Sequence, residues 1–290
     1  MTVSRIGWAI WALVPVALLT FHFGPGQAAY VQDQAARLQS AALEAEASAM
    51  RAQDAAYAKH LAAIEARRAA FLSQAPDDDA KARAATEDED RAYAAAAEEW
   101  KRTADAFQHV QDALGGSSPE KARRVRWAHA RAMVRSGEIW PGIGELESIV
   151  DELDDAGQSG SALARSSREE LATAYYYGAR LLRLSGMPAQ EWRVESGKAR
   201  QQFRYLAEQA IARGETKDAI DSYQRNVELV LNLEQASLVD IQGKPLPRES
   251  PRAGNIGNRP GNQPGRKSQR PPQRRDARGA GGAGEIGDGW

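Results

Sequence analysis

The chain is 290 residues long, with 38 Lys and Arg against 39 Asp and Glu, a formal net charge of −1 and a mean hydropathy of −0.57. It has no cysteine, which excludes disulfides, thiol catalysis and thiolate metal sites. The charge balance hides a split: ten Lys/Arg and four Asp/Glu lie from Gly243 onward, leaving a body of net −8 with a basic tail.

The first element is the run Ile6–Phe23, which contains no formally charged residue. Eighteen helical residues rise about 27 Å, close to the roughly 30 Å hydrocarbon core of a bilayer. Trp8 and Trp11 sit near one end, where indole rings favour the membrane interface. Two readings compete: a signal anchor that stays in the membrane, or a cleaved signal peptide with small residues at Gly26-Gln27-Ala28. The length of the run favours the anchor. A buried soluble helix is the third reading. Arg5 precedes the run and the next basic residue is Arg37, an asymmetry that places the remaining chain outside the cytoplasm. The expected location is a single-pass protein of the cell membrane with a periplasmic body, or an exported soluble protein if residues 1–27 are removed.

The body is rich in Ala, Glu, Arg, Gln and Leu, and no segment alternates with period two, so the fold class is all-α. Residues 28–114 read as a long helical hairpin. Ala28–Leu72 holds no Gly or Pro and as one helix would reach about 67 Å, a stalk if the chain is anchored. Leu43, Met50, Tyr57, Ile64 and Phe71 recur every seven residues, flanked by Ala42, Ala45, Ala49, Ala52, Ala56 and Ala63. That spacing predicts a narrow apolar seam against a neighbouring helix of the same chain. Asp54 and Arg68 at the second seam position argue against a parallel zipper. Pro76 breaks the helix, and Asp77, Asp78 and Asp79 suit the start of the next one. Its predicted seam is Tyr93, Ala97, Trp100, Ala104, Phe107 and Leu114, with Glu87-Asp88-Glu89-Asp90 as a solvated acidic face.

Gly115–Pro119 is a predicted loop, and residues 119–242 show a repeated frame. Gly137-Glu138 is followed by Gly142 and Leu146; Gly214-Glu215 is followed by Ala219 and Tyr223. Apolar helices precede each: Trp127, Ala130, Met133 and Val134, then Phe203, Leu206, Ala207, Ala210 and Ile211. Glycine permits a tight turn, the small residue presses the second helix onto the first, and the bulky residue fills the next groove. Between them a third hairpin has a first helix over about 168–184, with Leu171, Tyr175, Gly178, Leu181 and Leu182 inward. Its turn is at 185–188, its second helix starts at Ala189, and 154–167 is a polar connector.

Ala130, Gly137, Gly142 and Leu146, with Ala207, Gly214, Ala219 and Tyr223, resemble the tetratricopeptide repeat at its small, glycine and aromatic positions. The block Tyr93–Leu153, most clearly 130–146, is similar to membrane-anchored bacterial proteins of this repeat class, some of them encoded beside AAA-type ATPases and von Willebrand A-domain proteins. The resemblance implies an α-solenoid that binds protein partners through a helical groove, with no inherited catalytic residues.

Residues 243–290 are Gly, Pro, Arg, Asn and Gln with almost no apolar side chains, which predicts a disordered tail able to bind anionic polymer or lipid. Gly282, Gly284 and Gly287 match a dinucleotide fingerprint only by composition, since no strand precedes them and no helix follows. His22, His60, His109 and His129 show no metal-ligand spacing, and no nucleophile or phosphate-loop motif occurs. Neither cofactor nor metal is expected. The sequence therefore predicts a membrane-tethered, non-catalytic scaffold of the bacterial envelope. The alternatives are a coiled-coil spacer or self-assembling envelope protein, and an enzyme whose carboxylates converge only in the fold.

Overall fold

The computed structural model describes residues 11, 13–16, 19–21, 25–114, 119–238 and 241, with the backbone alone for 25–29. The expected loop at 115–118 and the tail 243–290 lie outside them, as does much of the run Ile6–Phe23. What is described of that run is helical and exposed, Trp11, Leu13 and Phe21 included. Among the described residues no helix is long and apolar enough to cross a membrane.

From Pro25 onward the described residues include no strand and these long helices: α1 (Pro25–Ser73), α2 (Pro76–Leu114), α3 (Pro119–Ser136), α4 (Ile139–Asp155), α5 (Ala162–Leu184), α6 (Ala189–Ala212) and α7 (Lys217–Gln235). Each packs chiefly against its neighbours in sequence. Helices α1 and α2 form the arm; α3 joins it to the body.

The seam of the arm differs from the expected one by a single residue. Ala42, Ala49, Ala56 and Ala63 are 0% exposed, and Ala35 and Ala70 continue the line. Leu43, Met50 and Phe71 stand outside at 51%, 50% and 79% exposure. Alanine wins the seam because a methyl group lets two helix axes approach closely and brings backbone atoms of both helices into dispersion contact. Four residues after each of four seam alanines comes a polar side chain, also in the interface or at its edge: Glu46, Gln53, His60 and Arg67. Large residues on α2 fill the space that the alanines leave. Tyr93, Ala97, Trp100, Ala104 and Phe107 are buried as expected, with Leu114 half-buried.

Helices α3 to α6 all end in the same way. Gly137, Gly157, Gly186 and Gly214 have φ of 103°, 68°, 74° and 67°. In each turn the glycine N–H and the following N–H donate back to carbonyls three and five residues earlier, as in Gly137 to Val134 and Glu138 to Met133. This is the Schellman exit, open to glycine because it has no Cβ to strain the left-handed backbone. Gly157 is the one not foreseen: the connector is confined to 156–161. Helix α5 starts at Ala162 because the Ser161 side chain accepts from the Ala164 N–H and caps it.

Candidate functional site

The residues singled out from the repeat frame fall at the hairpins. A Cβ on Gly142 would lie 2.6 Å from Val134 Cγ2 and 2.9 Å from the Ala130 carbonyl, so α4 rests directly on the α3 backbone. Ala130 and Leu146 are wholly buried beside that contact. At the second frame Ala207 is buried on α6, Gly214 makes the turn, and the Ala219 N–H donates to Thr216 Oγ1 at the start of α7. Tyr223 is buried, its O–H donating to the Glu169 carboxylate on α5. Ile211, expected inward, is exposed.

Helix α5 departs furthest from the sequence reading. Every residue from 170 to 182 is buried. The Trp140 ring of α4 lies against its backbone at Gly178, where a Cβ would come within 2.6 Å of the indole. Arg180 donates to the Ile241 carbonyl and Arg183 to the carbonyls of Leu233 and Ala236, so the chain beyond α7 folds back onto α5 and its last helical carbonyls are satisfied there. A helix of this kind is a central core element and does not line an open groove.

The polar groups gather at three places. In the arm, His60 Nδ1 is 2.7 Å from Glu89 Oε1, both side chains out of solvent, and Arg67 is 3.7 Å from the second Glu89 oxygen. The Trp100 indole donates to Gln53, and Glu46 pairs with Arg131 of α3. The acidic run that looked like a solvated face thus turns Glu89 into the seam and leaves Asp88 outside with Arg91.

At the junction of arm and body, Arg135 of α3 stacks 4.7 Å above the Trp100 ring of α2 and is 3.2 Å from Glu170 of α5. Burial pushes the Glu170 carboxyl up, against the pull of Arg135.

On the body, Glu147 of α4, Tyr175 of α5 and Lys198 of α6 converge. The Tyr175 hydroxyl donates to Glu147, and Lys198 Nζ lies 3.4 Å from the same carboxylate and 4.8 Å above the tyrosine ring. The Glu147 and Lys198 side chains remain 41% and 44% exposed. Burial and then Glu147 raise the Tyr175 phenol, which keeps its proton and donates it to that carboxylate. Tyr223 is raised in the same way by burial and by Glu169. Around Glu169, Arg165 and Arg213 each reach Glu215.

Among the described residues no three His, Cys, Asp or Glu side chains are placed to hold a metal ion. His109 is exposed and His129 pairs with Glu145 at 2.7 Å; His22 lies outside the description. What the arrangement offers chemically is a half-exposed anion and cation, Glu147 and Lys198, on two helices, held over the buried Tyr175 of a third. Sequence reasoning missed that surface because its residues lie in three helices with no shared spacing. The polar line of the arm was missed too, although Glu46, Gln53, His60 and Arg67 recur every seven residues beside the alanines and that period was the signal to find them by.

No family model matches the chain, and neither a curated protein nor a solved structure resembles it significantly.

Proposed function

We propose that this chain is a non-catalytic scaffold of the bacterial envelope, tethered through Ile6–Phe23, whose TPR-like hairpins hold protein partners. The observation that carries the reading is the helix exit repeated at Gly137, Gly157, Gly186 and Gly214, which builds the body from serial helical hairpins. The apolar side chains exposed at Trp11, Leu13, Val16 and Phe21 support the tether, since such residues gain from leaving water.

Because α5 is enclosed, the partner surface is assigned to the face of α4 and α6 carrying Glu147 and Lys198, which the buried Tyr175 supports from beneath and where a charged side of another protein finds complementary groups. The basic tail adds attraction for anionic polymer or lipid. The coiled-coil spacer is the second reading, favoured by the length of α1.

Fractionation of cells expressing the full chain tests the tether. Retention in the membrane pellet through alkaline carbonate washing supports it, and complete release contradicts it. Protease treatment of spheroplasts tests the side: digestion of the body is expected, and full protection contradicts a periplasmic location.

A further inference from the structure

The outer face of α1 carries an apolar line that the fold leaves in water. Leu43, Met50, Leu61 and Phe71 are all exposed, with Tyr57 and Ile64 half-buried between them. The line runs roughly 28 residues, about 42 Å at 1.5 Å per residue. The outward side of α2 offers nothing comparable: its exposed residues are charged or polar, apart from alanines and Pro76. The apolar line therefore belongs to one helix and, one residue on from the alanine seam, lies about 100° around it from the face that meets α2.

Its charges say what covers it. In heptad terms Leu43, Met50, Tyr57, Ile64 and Phe71 form one core position, and Ala47, Asp54, Leu61 and Arg68 the other. The two interruptions are of opposite sign and fourteen residues apart. On the flank, Arg51 and Glu65 are also opposite in sign and fourteen apart, and all four are exposed. A parallel, in-register copy would set Asp54 against Asp54 and Arg68 against Arg68. An antiparallel copy centred between Tyr57 and Leu61 sets Asp54 within four residues of the other copy's Arg68, about 6 Å along the axis, and Arg51 within two residues of its Glu65, about 3 Å, each pairing made twice by the two-fold axis.

We propose that two copies of this chain pair antiparallel through the outer face of α1. The inference stands apart from the scaffold reading and needs no partner of the body. Taken about 10 Å wide, the line covers about 400 Å² per copy. That is half of the roughly 800 Å² per partner of a standard interface, the size of a weak or transient association. The alanine seam and its polar line stay inside each arm, because they lie on the side that meets α2. The two N-termini leave opposite ends of the pair, about 100 Å apart. With both in one membrane, the paired arms lie along its surface.

The test is the mass of the full chain in detergent, by light scattering from 1 to 100 µM. A dimer is expected, with Met50→Glu raising its dissociation constant at least tenfold while helical circular dichroism stays unchanged. Asp54→Arg and Arg68→Asp should each weaken the dimer, and the double exchange should restore it. In the otherwise cysteine-free chain, Ala47→Cys should form no disulfide with itself under oxidation, since the antiparallel pair holds the two positions far apart. A monomer throughout the range overturns the proposal, as does a dimer indifferent to Met50→Glu. So does ready Ala47→Cys self-crosslinking, which reports a parallel pair. Binding of the chain to neutral phospholipid vesicles as a monomer, abolished by Met50→Glu, assigns the line to lipid and overturns it too.

Discussion

Arg135 Nη2 lies 3.2 Å from Glu170 Oε1, and both side chains are withdrawn from solvent where Arg135 of α3 bridges Trp100 of α2 and Glu170 of α5. A buried pair of this kind contributes little net stability, yet losing one partner strands the other. Arg135→Leu should cost about 3–5 kcal/mol at neutral pH, measured by urea unfolding. The cost should shrink as pH falls, because the stranded Glu170 can then take up a proton. The double variant Arg135→Leu/Glu170→Leu should recover most of the loss, and a loss equal to the sum of the single changes would remove the coupling.

In the arm the smallest side chains matter more than the largest. Ala49→Leu or Ala56→Leu inserts bulk into a seam with no exposed surface and should cost about 1–3 kcal/mol. Leu43→Ala or Met50→Ala changes the apolar volume by about as much, but on an exposed face. Each should change the stability of the monomeric fold by about 0.5 kcal/mol or less. Denaturant midpoints recorded below the dimer concentration range check both.

Four helical glycines separate contact from propensity. Gly142 and Gly178 have heavy atoms 2.6 Å from where a Cβ would sit, whereas Gly144 and Gly197 have nothing within 4 Å. Gly144→Ala and Gly197→Ala should stabilise the chain by up to about 1 kcal/mol, the helix preference of alanine over glycine. Gly142→Ala and Gly178→Ala should destabilise it despite the same preference, since Val134 and Trp140 must move. Thermal unfolding of the four variants gives the two opposite signs, and four shifts of one sign would contradict the packing described.

The pH dependence has a defined sign at Glu169. Burial raises its carboxyl above the ordinary 4.5, with the Tyr223 hydrogen bond opposing part of the rise. The folded state therefore holds this proton more tightly than the unfolded chain. The contribution favours folding below pH 4.5 and is lost as pH rises through the folded-state value. Glu152 and Asp154, which accept from Arg126 and Arg168 and are lowered, act oppositely, and only below their ordinary 4.5 and 3.8. Glu169→Gln keeps an acceptor for Tyr223 and should flatten the decline of Tm with pH above 4.5. An unchanged profile would remove Glu169 from the account.

Much of this architecture could be read in the residues, and the failures have physical causes. Helix starts and stops were legible because Pro76, Pro119, Gly137, Gly186 and Gly214 restrict or free the backbone locally. Gly142 was legible because a small residue soon after a tight turn has few other uses. The arm seam was misplaced by one residue because large side chains were given priority over alanine, although close helix packing selects for small ones. Glu89 and Arg135 were missed because nothing in a charged residue's local sequence tells a solvated face from a paired interior. The enclosure of α5 was missed for a related reason: only Leu171, Tyr175, Gly178, Leu181 and Leu182 were placed inward, while the partners that let Glu170 and Arg180 be buried, Arg135 and Ile241, lie 35 and 61 residues away. The Glu147–Tyr175–Lys198 face depends on three helices at once and has no local signature.

The central claim, a tethered scaffold whose body holds protein partners, is tested most directly by quantitative affinity purification of the full chain from detergent-solubilised membranes. The wild-type chain should be compared with Lys198→Glu, a half-exposed change that leaves the core untouched. A defined set of envelope proteins should co-purify with the wild type and fall at least several-fold with the variant. Recovery no different from background across mild detergents, or partners retained in full by the variant, would contradict the account.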